Sequence, residues 1–503
     1  MSYNVLLSNL GFDLDPFAKT NADEESNLAD YFVSPPFFAA VYGDHFNPKS
    51  SLVFAPRGGG KTALKRKIEL SSQGCEYLCI TYNRFNVTGI TLKNINLEYH
   101  LKNITQLLLI AVLTAAHQKG VGGLSGQDRH LIYLLTKEHL SRIDQTELKY
   151  AIGSIKNFSD QAVEIWNKFT GPLGLVINSL LERIGLGKAE ISSFEAEGGK
   201  LGTFEDRLRF LQSAASKLGY ESVYILIDRV DENDLTVVAD NSFSFVAPLI
   251  SNLQILELPH FGFKFFLWNL LLAEYRKVAR PDRVKYYQLE WNHDQLERML
   301  SERLKAHSRG NVRTLDQISD CDISLGLDKS VAIFAQGSPR TMVRICKEIL
   351  DQQSQIDSNA SVISKEAISR GFDQIAENLS NEQFNETIVR ELQRTNRCDF
   401  TIRHIYLNVF KFTQPAALNK VSAWENIGAV RQIGRIQETK GVRGSNHYAL
   451  ANLPLAKHVY SKMPINDFVR TKLRFCPSCN NVLLRDWDIR SPQLCDKCQH
   501  EVH

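Results

Sequence analysis

The chain has 503 residues, of which 43% are hydrophobic and 23% charged, an ordinary globular balance, and its length implies two or three packed units. A formal net charge of +3 is too small for this length to announce a nucleic-acid partner by itself. The longest apolar run, Thr105 to Ala116, falls well short of the roughly 20 residues that span a bilayer, and the first residues lack a basic segment, so a cytoplasmic protein without a membrane partner is expected.

No internal repeat or low-complexity tract interrupts the chain. Ser51 to Ala55 is a short apolar run that enters a Gly-rich turn, and Ala63 to Leu70 has helical character, giving strand, loop and helix. Tyr77 to Tyr82 reads as a second strand. The helical segments Leu97 to His117, Asp128 to Arg142 and Leu173 to Ile184, separated by Gly-containing breaks, form an insertion over residues 86–202. Tyr224 to Ile227 is a buried-type strand that runs into Asp228, and Phe263 to Trp268 is another that ends at Asn269. Strands alternating with helices predict an α/β fold with a parallel sheet.

Trp291 to Ala306 places leucines and a methionine at helical spacing and begins a helical lid, continued by Ser364 to Ala376 and Gln383 to Gln393. Ile433 to Leu450 resembles two strands around a Gly-rich basic turn, the wing of a winged helix. The expected division is an N-terminal segment and the start of the α/β core (1–85), the helical insertion (86–202), the rest of the core (203–290), the lid (291–380), a winged-helix-like domain (381–465) and a zinc ribbon (466–503).

The strongest chemical signal is Ala55 to Thr62, APRGGGKT, between an apolar strand and a helix, the context a phosphate-binding loop requires. The glycines Gly58, Gly59 and Gly60 let backbone N–H groups surround phosphates. Lys61 is expected to reach the β and γ oxygens, and the Thr62 hydroxyl to ligate Mg2+ at the helix N-terminus. Ala55 departs from the pattern, which has its first glycine there. The second half of an ATP site is an acidic residue at the end of a neighbouring strand, and Val223 to Glu232, VYILIDRVDE, supplies it. Asp228 is the expected magnesium partner. A further carboxylate must orient or deprotonate the attacking water, either Glu232 or Asp231.

Together APRGGGKT, ILIDRVDE, the strand ending at Asn269, the helix after Trp291 and the GSPR of Gly337 to Arg340 resemble the AAA+ and STAND group of P-loop ATPases. Within that group the likeness is to origin-recognition-type initiators and their bacterial relatives, some of which serve in antiphage defence. The resemblance implies that Asn269 senses the γ-phosphate, that Arg340 of the lid contacts nucleotide, and that a homo-oligomer completes the site with an arginine supplied in trans. Arg280 and Arg283 are the candidates for that arginine. DRVDE departs from the simple Asp-Glu pair of many AAA+ proteins and is closer to the spaced acidic pattern of STAND proteins.

Cys476, Cys479, Cys495 and Cys498 follow a C-x2-C, 15-residue, C-x2-C spacing, a specific signature for a closed, structural Zn2+ site. His500 and His503 lie near but are not needed to complete it. Residues 401–503 carry 15 Lys+Arg against 7 Asp+Glu. Arg431 to Arg443 and the cluster Arg470, Lys472, Arg474 are therefore candidates to meet DNA phosphates, the alternative being a solvated face or a protein contact. The functional expectation is an ATP-dependent switch or remodelling ATPase. The alternative is a nucleotide-binding adaptor with little turnover that recruits a separate effector protein.

Overall fold

Ser51–Ala55 (β1), Tyr77–Tyr82 (β2), Ser222–Ile227 (β3), Phe261–Trp268 (β4) and Lys285–Gln288 (β5) form one sheet in the order β2-β3-β4-β1-β5, with every neighbouring pair parallel. The computed structural model describes residues 2–120, 122–141, 143–157, 181–182, 201–320, 322–436, 444–486 and 493–502. The helix expected over residues 173–184, apart from 181–182, and the basic turn of residues 437–443 lie outside them. Two compact units divide the chain, Ser34–Glu290 and Met1–Val33 with Trp291–His503.

In the first unit, β1 and β3 are buried along their whole length and β4 along all but its last residue, which is why their sequences are continuous apolar runs rather than alternating ones. From β1 the chain crosses to β2 at the far edge, returns through β3 and β4, and then passes to β5 on the other side of β1. The direction of winding therefore reverses at β1, and a crevice opens beyond the carboxyl ends of the strands there.

The insertion seals the β2 edge. Ile155 forms an antiparallel bridge with Ile80, the Thr81 N–H donates to the Ser154 carbonyl (2.8 Å), and the Lys156 N–H donates to that of Cys79 (2.9 Å). The Asn157 amide accepts from the Cys79 N–H and donates to the Ser72 and Tyr77 carbonyls, so the edge keeps few open valences. The helix Leu97–Lys119 is capped by Asn96 and is buried at every position from Leu107 to Ala116. Burial on all sides explains its apolar run, and no helix among the described residues is long and apolar enough to cross a membrane.

The second unit joins the chain's start to its last two-fifths. Leu6 and Leu7 of the helix Ser2–Asn9 are buried in one core with Ile345 and Ile349 of the helix Pro339–Ile356. Arg303, on the helix His293–His307, donates to the carbonyls of Pro16 and Lys19 and pairs with Glu25 at 2.8 Å. Helices Pro339–Ile356 and Lys365–Gln383 touch closely at Gly371, where a Cβ would stand 2.7 Å from the Ile349 side chain. Next come Glu386–Thr395, Asp399–Thr401 (β6), Ile402–His404, which continues as a π-helical turn over Ile405–Val409, and Gln414–Asn426. Val430–Ile436 (β7) and Ser445–Leu450 (β8) are the two strands read around residues 433–450, and with β6 they form an antiparallel sheet ordered β6-β8-β7. Leu473–Phe475 (β9) pairs with Val482–Leu484 (β10), and Gln493–Leu494 (β11) with Glu501–Val502 (β12).

One side chain in the sheet runs against its surroundings. Lys264 of β4 is 1% exposed and lies 5.1 Å over the Tyr224 ring, with its Nζ donating to the Lys49 carbonyl at 2.5 Å. Burial pushes its ammonium down to about 7. Between that value and the ordinary 10.5 the unfolded chain binds more protons than the folded one, so this residue makes stability rise with pH through the window. Urea unfolding of Lys264→Met beside the native chain checks this. The native stability should gain on the order of 2 kcal/mol relative to the variant between about pH 7 and pH 9, and parallel curves would refute the assignment.

Candidate functional site

At the carboxyl end of β1 the chain makes a tight loop into the helix Lys61–Ser71. Gly58 (φ 76°) and Gly60 (φ 93°) are left-handed, a conformation that a Cβ disfavours. Gly59 is required by space. A Cβ there would stand 2.9 Å from the Pro56 carbonyl oxygen and 3.2 Å from the Ala55 Cβ, so the methyl of Ala55 is tolerated because Gly59 has none. The Lys61 ammonium lies inside the loop and donates to the carbonyls of Ala55 (3.1 Å) and Pro56 (3.2 Å).

Asp228 follows β3 and is 1% exposed. It receives the Thr62 hydroxyl at 3.2 Å and faces the Lys65 ammonium at 3.7 Å, while its N–H donates to the Tyr82 carbonyl of β2 at 3.4 Å. Lys65 also faces Glu69 at 3.6 Å, which in turn accepts from the Thr81 hydroxyl and pairs with Arg66 at 3.2 Å. The sequence reading missed Lys65 and Glu69. Their signal was the i, i+4 spacing that stacks Lys61, Lys65 and Glu69 along one helix face.

After Asp228 the chain turns through Arg229, left-handed at φ 59°. Asp231 is nearly buried and held by Arg57, whose Nε donates to its carboxylate at 3.0 Å and whose Nη2 donates to its carbonyl at 3.1 Å. The Arg57 guanidinium also lies 4.3 Å over the Trp268 ring, tying the glycine-rich loop to the ends of β3 and β4. Neither Arg57 nor Trp268 was singled out from sequence. The Glu232 side chain is 56% exposed and lies 3.6 Å from Arg229. Asn269 follows β4 directly, opens a short 3-10 turn and is exposed.

Thus Gly58, Gly59, Gly60, Lys61, Thr62, Asp228, Asp231 and Asn269 are placed by the carboxyl ends of β1, β3 and β4 in one unit, with Glu232 on the turn beyond Asp228. Arg283 is bound to Glu257 through both Nε (2.8 Å) and Nη2 (2.5 Å), whereas Arg280 is exposed. Arg340 belongs to the second unit, where Ser338 caps the helix Pro339–Ile356 and leaves Arg340 exposed in its first turn.

The second chemical centre is formed by two matching turns. In the first, Cys476 N–H donates to the Asn481 carbonyl and Asn480 N–H to that of Cys476; in the second, Cys495 pairs with His500 and Gln499 in the same pattern. Asn480 (φ 57°) and Gln499 (φ 60°) are both left-handed. The four sulfurs of Cys476, Cys479, Cys495 and Cys498 lie within 4.8 Å of one another, with two separations of 3.5 Å. These spacings are too long for disulfides and suit four thiolates about one tetrahedral ion, so the donor set fits Zn2+.

Cys398, Asp399 and Asp486 form another buried group. Here the charges are already met: Asp486 accepts from Lys472, from the Tyr460 hydroxyl (3.0 Å) and from the Cys398 N–H (3.0 Å), and Asp399 from His447 (3.1 Å) and the Asp486 N–H (3.0 Å). Burial raises Asp399 despite His447; burial alone would also raise Asp486, but its hydrogen bond to Lys472 holds it below the usual carboxylate value. The cluster clamps the end of β10 to β6 and β8.

That clamp bears on the basic residues expected to meet DNA. Lys472 is engaged with Asp486, Arg431 with Asp496 and Arg474 with the Leu473 carbonyl, while Arg470 makes a surface pair with Asp467 at 3.2 Å. Arg435 is exposed on β7 and bonds Asn446 at 2.9 Å, and Arg443 lies outside the described residues. The exposed face of Gln414–Asn426 carries Leu418, Asn419 and Ser422 rather than cations.

No protein-family model matches the chain, and no curated protein matches it. Among solved structures it is similar to the Aeropyrum pernix ORC1 protein in complex with DNA, at 12% identity and a TM-score of 0.36 over 89% of this chain and 97% of that one. It is likewise similar to the Aeropyrum pernix ORC2 protein in ADPNP-ADP complexes, at 10% identity and a TM-score of 0.35 over 88% of this chain and 98% of that one. The functional reading therefore rests on the chain's own geometry.

Proposed function

We propose that this chain is an ATP-binding and ATP-hydrolysing P-loop ATPase of the AAA+/STAND kind, acting as a nucleotide-dependent switch or remodeller in the cytoplasm. The observation that carries the reading is the 3.2 Å approach of the Thr62 hydroxyl to the Asp228 carboxylate, beside a loop of left-handed glycines at the point where the sheet's winding reverses. The N–H groups of Gly58, Gly59 and Gly60 would bind phosphate oxygens, that of Gly59 on leaving the Pro56 carbonyl it now holds at 3.0 Å, and Lys61 would exchange the Ala55 and Pro56 carbonyls for the β and γ oxygens. Thr62 and Asp228 would hold Mg2+, which supplies charge neutralisation at the transferring phosphoryl group.

Glu232 is the better candidate than Asp231 to orient water, because the Asp231 carboxylate is bound by Arg57. Asn269 would sense the γ-phosphate. Arg340 would contact nucleotide from the lid, and a contact made in one nucleotide state biases the conformational equilibrium. The adaptor reading has its own support: both acidic residues after Asp228 lie against arginines, Asp231 at 3.0 Å and Glu232 at 3.6 Å, a resting arrangement suited to slow turnover. The cysteine centre would hold a structural Zn2+ and steady a surface for an effector protein. DNA contact by the C-terminal region would fall to the exposed cations such as Arg435, and a homo-oligomer would draw on Arg280 in trans.

Magnesium-dependent ATP hydrolysis by the purified chain, with and without duplex DNA, is the direct test. Lys61→Ala should abolish turnover, and Glu232→Gln should lower kcat by about 100-fold or more while ATP binding persists. Binding without hydrolysis by the native chain under every condition would put the adaptor reading ahead. Metal analysis should find about one zinc per chain, and chelation should raise amide exchange first in residues 473–502. A metal-free chain with the same exchange pattern would remove the zinc assignment.

A further inference from the structure

Beyond the carboxyl end of β2 the helical insertion borders a half-open pocket of about 360 Å³, within the range of about 300–1,000 Å³ usual for small-molecule sites. Tyr82 and Phe85 line it from the strand end and the loop that follows. Asn103 and Gln106 face it from the helix Leu97–Lys119, and Asp144, Glu147 and Tyr150 from the start and body of the helix Gln145–Gly153. None of Lys61, Thr62, Asp228 or Glu232 lines it, so it is separate from the proposed ATP site.

The lining offers acceptors in excess. One Glu147 oxygen takes the Asn86 amide at 2.8 Å and leaves the other carboxylate oxygen for the cavity. One Asp144 oxygen caps the helix by accepting from the Thr146 and Glu147 N–H groups, which again leaves the second. The Asn103 amide nitrogen is used on the Tyr99 carbonyl at 2.7 Å, which leaves its oxygen as the acceptor of this lining residue, and the Gln106 side chain makes no hydrogen bond among the described residues. Among the described residues the lining holds one cation, Arg84, against two carboxylates, and the Arg84 guanidinium already lies 5.3 Å over the Tyr150 ring. Such a site repels phosphate and favours a ligand that brings N–H donors and positive charge, with aromatic faces to receive it.

We propose that this cavity binds a small organic cation, an amine or guanidine, held by Glu147 and Asp144 and oriented by the amides of Asn103 and Gln106. The occupant would also bear on the ATP site. Tyr82 lines the cavity, and its carbonyl accepts the Asp228 N–H at 3.4 Å, so a shift at the end of β2 reaches the magnesium-binding carboxylate directly. Only this second step rests on the ATPase reading.

Calorimetric titration of the full chain without nucleotide tests the site, using putrescine, spermidine, agmatine and L-arginine, with 1,4-butanediol as the uncharged counterpart of putrescine. At least one of the four cations should bind and the diol should not. Glu147→Gln, which keeps an acceptor for Asn86, should weaken that binding by about tenfold, and Gln106→Leu should weaken it independently of any effect of the first variant on folding. The proposal is overturned if no cation binds more tightly than about 10 mM, if the diol binds equally, or if both variants fold and bind as the native chain does. Coupling is read separately as the ATP turnover rate with and without the bound amine; an unchanged rate in an active enzyme removes the coupling and leaves the binding result standing.

Discussion

A carboxylate taken out of water costs several kcal/mol unless opposite charge and hydrogen bonds replace its hydration, and Asp228 is almost completely enclosed. The arrangement that offsets this cost runs through the helix after the glycine-rich loop: Asp228 faces Lys65, Lys65 faces Glu69, and Glu69 faces Arg66 and Thr81. Signs alternate along the chain of contacts. Lys65 is the shared member, a buried cation that faces both Asp228 and Glu69. The helix Lys61–Ser71 is thereby fixed against β3 and β2, and Thr62 is brought to its place beside Asp228.

The sheet topology makes this fixation useful. β1 and β3 are separated by β4, so Thr62 after β1 and Asp228 after β3 flank the strand end that carries Trp268 and Asn269. Arg57 spans the same gap on the solvent side, stacked on Trp268 and bound to Asp231. Two cationic ties, Lys65 to Asp228 and Arg57 to Asp231 and Trp268, thus connect the segment after β1 to the ends of β3 and β4. At the centre of the loop the Gly59 N–H donates to the Pro56 carbonyl at 3.0 Å, and a Cβ at Gly59 would meet that same oxygen.

The second unit shows how folding redirects charge. Read along the chain, Arg431, Arg470, Lys472 and Arg474 make a basic tract, but the two cysteine turns and β10 bring Asp486 and Asp496 back onto it. A net count by segment does not distinguish a cation facing solvent from one already neutralised. The cysteine turns themselves were fully legible: the C-x2-C spacing is a local geometric requirement, and both turns close within six residues on left-handed Asn480 and Gln499. The insertion was legible only as helices. That its residues 154–157 complete the edge of β2 depends on pairing partners more than 70 positions away.

The sequence by itself determined the local chemistry: the strand, loop and helix around Ala55 to Thr62, the buried strand ending at Asp228, the strand ending at Asn269, and the paired cysteines. Each of these is set by neighbours within a few residues, through glycine conformations, apolar runs and ligand spacing. Only the tertiary structure decided which charges answer one another. It placed Lys65 on Asp228 and Arg57 on Asp231, gave Lys472 to Asp486, and packed residues 1–33 with the segment after Glu290. The physical reason is that a buried charge is stabilised by whatever opposite charge the fold brings within a few ångströms, a distance in space on which separation along the chain has no bearing.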